Sequence, residues 1–261
     1  KRVNYALRAQ SKGQFVAEVL DGLTKAPAYF AQNARLNQEG YESIDAVMDR
    51  GEHALTPDAF EALVNETGAL VLDVRNEHEF SEGFIPNAIN IGLDGQFAPW
   101  VGALIPDLKQ PIALVTPVGQ ETETIKRLAR VGYDNCIGYL DGGFAAWQQT
   151  GKEVDVIESV SPDAVAGQPA VPIIDVRREA EFAAERVKGA WNLPLDTIND
   201  AMDQLDRKQT YFIHCAGGYR SMIAASILRA RGFNNLINID GGLAALKQTG
   251  RVPIVTEPLS H

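Results

Sequence analysis

In FIHCAGGYRSM, residues 212–222, a single thiol follows an apolar run, and a loop of small residues separates it from a cation. Cys215 supplies the sulfur, Ala216, Gly217, Gly218 and Tyr219 fill the gap, and Arg220 closes it. A thiol is a poor nucleophile until its surroundings stabilise the anion. A glycine-containing loop can turn its backbone N–H groups inward around the sulfur, because glycine accepts positive φ and close backbone approach. A helix following the loop adds the positive end of its dipole. Arg220 adds a full charge and forked donors for an anion. These residue types describe an activated sulfur nucleophile in an anion cradle. Cys136, the other cysteine, has no such neighbours and reads as core. His214 precedes the thiol, but alternation along a buried strand points it away from a pocket.

The elements that must hold this loop can be read from patterning. TYFIHC is a short apolar run typical of a buried parallel strand, and SMIAASILRARG is a helical stretch stopped by Gly232. Strand, loop and helix in that order put the sulfur at the carboxyl end of a parallel sheet, where open α/β folds bind ligands. The surrounding pattern occurs twice. LVLDVRNEHEF at 70 is answered by PIIDVRREAEF at 172, and RLARVGYDNCIGYLDGGFAAWQQTG at 127 by ILRARGFNNLINIDGGLAALKQTG at 227. The offset is 102 for the Asp-Val-Arg triplets and 99 for the Gly-Gly pairs, so two tandem copies of about one hundred residues are predicted. Each opens on a hydroxyl-Pro helix start, Thr56-Pro57 or Ser161-Pro162, and alternates strands with helices. The fold class is therefore α/β, each copy a parallel sheet with helices on both faces. TGKEVDVIESVSP between the copies reads as a linker.

With Gly132 and Gly232 in register, the first copy's loop is LVTPVGQET. Val115 then stands at the Cys215 position and Gln120 at the Arg220 position. The first copy keeps the scaffold and loses the chemistry, which assigns it scaffolding or partner contact. Three segments result: 1–50, a helix over 11–23 with an extended Pro-containing arm; 51–155, a degenerate copy; and 156–261, the catalytic copy.

Composition limits the function. The net charge of −10 argues against general nucleic-acid binding. Residues 51–159 carry net −11 and residues 160–261 net zero, so an anionic substrate is better tolerated by the second copy. No apolar run approaches the roughly 18–20 residues of a membrane span. Two cysteines in unlike contexts make no disulfide framework, and a reducing, cytoplasmic setting is expected. The four histidines form no ligand cluster, so no metal site and no cofactor are expected in this chain.

The two copies with Asp-Val-Arg, Asp-Gly-Gly and the Cys-x4-Arg loop resemble tandem rhodanese domains over about 210 of the 261 residues. The resemblance implies a sulfurtransferase in which Cys215 takes a sulfane sulfur as a persulfide and passes it to a thiol or other nucleophile. It implies catalytic roles for Cys215 and Arg220. It implies substrate binding by Ala216, Gly217, Gly218, Tyr219, Asp175 and Arg177. The partners would be a small-molecule sulfane-sulfur donor and a thiol acceptor. Six residues from Cys215 through Arg220 suit a sulfur donor, whereas one more makes the phosphate-sized pocket of related phosphatases. Ala216 replaces the basic residue common in thiosulfate-using members, which favours a thiol persulfide over thiosulfate. Residues 1–50 resemble the C-terminal tail of metallo-β-lactamase-fold persulfide dioxygenases, implying such a domain as a fusion partner. The alternatives are a Cys-dependent phosphatase or arsenate reductase, and a non-enzymatic interaction module.

Overall fold

The computed structural model describes residues 11–20, 42–168 and 170–256. An N-terminal helix α1 (Lys12–Leu20) falls within the expected 11–23, and residues 21–23 and most of the expected arm lie outside the described residues. Residues 44–50 of the first segment are a correction: instead of extended arm they form, with Gly51, helix α2 (Ile44–Gly51). Ser43 caps it by accepting the Ala46 N–H at 3.2 Å, Asp45 and Arg50 complement its dipole, and buried Val47 anchors it.

The first copy continues with β1 (Ala54–Leu55), α3 (Pro57–Thr67), β2 (Leu70–Asp73), α4 (Glu77–Glu82), β3 (Ile89–Asn90), α5 (Phe97–Leu104), β4 (Ile112–Val115), α6 (Glu121–Ala129), β5 (Cys136–Leu140) and α7 (Gly143–Gln149). The second runs through β6 (Glu158–Val160), α8 (Pro162–Ala166), β7 (Ile173–Asp175), α9 (Glu179–Ala184), β8 (Arg186–Val187), β9 (Trp191–Asn192), α10 (Ile198–Ala201), β10 (Tyr211–His214), α11 (Tyr219–Ala230), β11 (Leu236–Ile239), α12 (Gly242–Thr249) and β12 (Ile254–Val255). The strands form two five-stranded parallel sheets, ordered β1-β5-β4-β2-β3 and β6-β11-β10-β7-β9, while β8 and β12 pair antiparallel. The expected α/β class, two tandem units with helices flanking parallel sheets, is what the chain adopts. Part of the expected linker is strand: Glu158–Val160 pairs with β11 as an edge of the second sheet.

Central strands β4 and β10 are buried at every residue, because helices cover both faces of the sheets. Helix α3 shows how local sequence sets an element. Thr56 accepts the Ala59 N–H, Pro57 fits the first turn, and Gly68 ends the helix in the left-handed region at φ 64°.

The two copies share an apolar core. One cluster joins first-copy residues such as Leu72, Ile91 and Val101 to Ile174, Leu195, Met222 and Ile223 of the second. Helix α11, which follows the thiol loop, packs against β3, the edge strand of the first sheet. There the Asn90 N–H donates to Ser226 Oγ at 3.0 Å, both residues being buried. Arg229 clamps Asp155 with two bonds of 2.8 and 2.6 Å.

Candidate active site

Strand β10 ends at His214, so Cys215 stands at the carboxyl end of the sheet, between β7 and β11. The chain then turns through Ala216 and Gly217 into α11. The turn requires Gly218, whose φ of 117° an L side chain rarely adopts. That conformation lets the Gly218 N–H donate to Cys215 Sγ at 3.1 Å. The loop carbonyls face the other way. Gly241 and Gly242, at φ 68° and 56°, turn the chain from β11 into α12. Leu243 and Ala244 there donate to the carbonyls of Cys215 and Ala216 at 2.8 and 3.1 Å. A Cβ on Gly242 would come within 2.5 Å of the Cys215 carbonyl oxygen. The Asp-Gly-Gly motif thus grips the outer side of the loop and leaves the Gly218 N–H for the sulfur.

Cys215 opens onto a pocket of about 500 Å³. Its lining comes from both copies: Gly95, Gln96 and Trp100 from the first, and Arg178, Glu181, Cys215, Ala216, Gly217, Tyr219 and Arg220 from the second. A cavity of similar size, about 490 Å³, lies among Phe60, Ile85 and Trp147 and contains no thiol, so chemistry rather than volume selects the site. Tyr219 fastens the two copies together. Its hydroxyl donates to the Gly92 carbonyl at 2.8 Å, and its ring lies over Gly92 and Gly95. Burial pushes its phenol pKa upward.

Arg220 lines the pocket, but its fork is engaged. Nη1 and Nη2 donate to the two carboxylate oxygens of Glu181 at 2.7 and 2.9 Å. This pairing raises the Arg220 pKa and holds the Glu181 carboxyl below its ordinary value. The guanidinium is therefore already partnered by a carboxylate on α9.

Asp175 and Arg177, expected among the substrate-binding residues, do not line the pocket, which corrects their assignment. Arg177 Nη2 donates to Asp175 Oδ2 at 2.6 Å and to the Glu185 carbonyl at 2.6 Å, and both side chains are buried. Asp73 and Arg75 make the same pair in the copy whose loop has no thiol. The pair braces the turn from strand to helix in both copies, and this is what the repeated Asp-Val-Arg encodes. His214 also stays out of the pocket. Its Nδ1 lies 3.0 Å from the Cys215 carbonyl, its ring is buried, and burial lowers its pKa. Cys136 is buried, with its thiol pKa pushed up to about 11 by burial.

The first copy's loop needs a corrected register. Val74 and Val176 donate to the carbonyls of Val115 and His214, so Val115 matches His214 and Thr116 matches Cys215. Gly143 agrees: a Cβ there would meet the Thr116 carbonyl oxygen at 2.9 Å, as one on Gly242 meets that of Cys215. The following helices match at Leu128 and Leu228, whose carbonyls accept from Tyr133 and Phe233. The first loop is therefore one residue shorter. A bulge in β5, where Ile112 pairs with Cys136 but Ala113 with Gly138, restores the spacing afterwards. A hydroxyl thus replaces the thiol, and the Gly119 N–H donates to Glu121 Oε1 at 3.0 Å, so the chain's own carboxylate takes that amide.

Sequence reasoning missed Gly95, Gln96, Trp100, Arg178 and Glu181. The exchange of Asn76 in the first copy for Arg178 in the second was a legible signal. The first-copy residues gave none, since only the packing of α11 on β3 brings them to the thiol. Among the described residues there is no cluster of three or more metal-ligating side chains, and no helix is long and apolar enough to cross a membrane.

A family model of the rhodanese-like domain matches residues 56–150 and 163–249. The chain is 32% identical over 85 residues to a sulfurtransferase of Allochromatium vinosum, covering 33% of this chain and 78% of that one. It is 34% identical over 90 residues to an uncharacterized protein of Synechocystis, covering 34% of this chain and 50% of that protein. A solved thiosulfate sulfurtransferase of Pseudomonas aeruginosa is 21% identical, with a TM-score of 0.36, and covers 80% of this chain and 44% of that one.

Proposed function

Because the chain belongs to the rhodanese-like family, twice over, we propose that it is a sulfurtransferase working through a persulfide on Cys215. The observation that carries this reading is the Gly218 N–H donated to Cys215 Sγ at 3.1 Å, inside a loop whose carbonyls are tied outward. Such a loop stabilises negative charge on the nucleophilic sulfur and, after transfer, on the outer sulfur of a persulfide. In the first step the Cys215 thiolate attacks the sulfane sulfur of a thiol persulfide. A new sulfur–sulfur bond forms at Cys215, the donor's own sulfur–sulfur bond breaks, and its electron pair leaves with the donor thiolate. In the second step an acceptor thiolate attacks the outer sulfur and returns Cys215 as thiolate. No net oxidation occurs, because one neutral sulfur atom changes carrier.

A phosphatase reading is less well supported, since Arg220, which would have to hold a phosphoryl dianion, already forks onto Glu181. A dioxygenase fusion partner and a cytoplasmic setting rest on the sequence resemblance and composition alone. Intact mass after incubation with glutathione persulfide tests the proposal. The protein should gain one sulfur atom and lose it to added thiol, and the Cys215→Ser variant should gain none. A folded Cys215→Ser variant that transfers sulfur at the parent rate would refute it.

A further inference from the structure

Three charged side chains line the pocket around Cys215: Arg178, Glu181 and Arg220. Glu181 and Arg220 neutralise each other through their double hydrogen bond. Arg178 is exposed and has no salt bridge among the described residues, so it is the uncompensated charge at the rim. The first copy, although strongly acidic, contributes only neutral residues here, Gly95, Gln96 and Trp100.

Arg178 also stands where local structure would prefer another residue. Its counterpart Asn76 caps α4, with Oδ1 accepting the N–H groups of His78 and Glu79 at 3.0 and 2.9 Å. An arginine side chain has no acceptor, and a cation at a helix N-terminus opposes the dipole. The second copy gives up a favourable cap at the one place where the side chain reaches the thiol pocket.

The geometry points to Arg178 as the residue that binds a carboxylate of the sulfur donor or acceptor. The site then takes a low-molecular-weight thiol or thiol persulfide that carries a carboxylate. Its sulfur end lies at Cys215, its carboxylate at Arg178, and its neutral body against Gln96 and Trp100. A pocket of about 500 Å³ falls in the size range of sites for small organic molecules and is larger than a small inorganic dianion would fill. This inference rests on the sulfur-transfer reading of the same pocket.

The test uses Arg178→Asn, which restores the capping residue of the first copy and so protects folding. The unreactive thioether S-methylglutathione is titrated by calorimetry into Cys215→Ser and into Cys215→Ser/Arg178→Asn, at low and high salt. Loss of one partly exposed charge contact should weaken binding about three- to tenfold and flatten its salt dependence. The diethyl ester of the same thioether should be affected far less. An equal loss for acid and ester, no loss for the acid, or no binding of the acid to Cys215→Ser overturns the proposal. Sulfur loading of the unaltered protein is read separately by mass. If loading fails while the charge-selective binding loss is seen, the sulfur-transfer reading falls and the carboxylate contact stands.

Discussion

Gly95→Ala places a first-copy methyl group against the residue that follows the thiol loop. The new Cβ would lie 2.5 and 2.6 Å from Cε2 and Cε1 of Tyr219, and closer still to Cζ, where ordinary contacts begin at 3.4 Å. Gly95 is not among the positive-φ glycines, so the substitution adds contact without backbone strain. About 1 Å of movement is needed, by the ring or by the 93–96 turn. Overpacking of this kind costs about 1–3 kcal/mol. If the ring moves, its hydrogen bond to the Gly92 carbonyl goes too, for about 1 kcal/mol more. The expected destabilisation is therefore about 1–4 kcal/mol, or roughly 2–16 °C in melting temperature for a chain of this size. Urea unfolding of Gly95→Ala, Tyr219→Ala and the double variant isolates the contact. In the Tyr219→Ala background the same methyl group meets space, so the cycle should show a coupling of about 1–3 kcal/mol. Sulfur transfer should fall in Gly95→Ala as well, because Tyr219 directly follows Gly218. Additivity of the two changes, to within about 0.5 kcal/mol, would refute the account of how the first copy meets the thiol loop.

The Glu181–Arg220 pair should make Arg220→Lys cost about 1 kcal/mol in a chemical denaturation series, since an ammonium cannot span both carboxylate oxygens. The same pair carries a pH signature: with the Glu181 pKa depressed in the folded protein, its stabilisation is present above the unfolded value of about 4.3 and is lost as pH falls through the folded one. Glu181→Gln should flatten that part of the acid-denaturation curve; an unchanged curve would count against the pairing. Ser226→Ala strands the buried Asn90 N–H between the copies and should cost about 1–3 kcal/mol by the same titration, with a cost near zero counting against that contact.

Patterning made the fold legible because both copies bury their central strands on two faces, and strands such as LVLDV and PIIDV announce this in composition. The thiol loop was legible because Cys215, the glycines and Arg220 are consecutive. Two features were hidden for different reasons. The near-constant offset between the copies masked a residue missing before α6 and an extra one at the β5 bulge, which compensate, so Val115 took the place of Thr116. The roles of Asp175 and Arg220 were hidden because charge identity does not reveal a partner. Arg177 and Glu181 satisfy them inside the fold, and only three-dimensional placement shows it. Gln96 and Trp100 lie more than a hundred residues from the thiol in sequence, beyond the reach of local pattern.

Helix α11 carries the Cys215 loop at one end and the first copy's edge strand along its flank, and this sets what each part of the chain is free to become. The abandoned loop of the first copy presents Val118 to solvent at 76% exposure, so mutational drift there meets little resistance. Drift at β3 or at Gly95 is constrained, because a change there is transmitted to Ser226 and Tyr219 on the helix that begins beside Cys215. The first copy, without a thiol in its own loop, is thus tied structurally to the loop that holds Cys215. Removing it would strip the cover from Met222 and Ile223, so the packing of the second copy depends on the presence of the first.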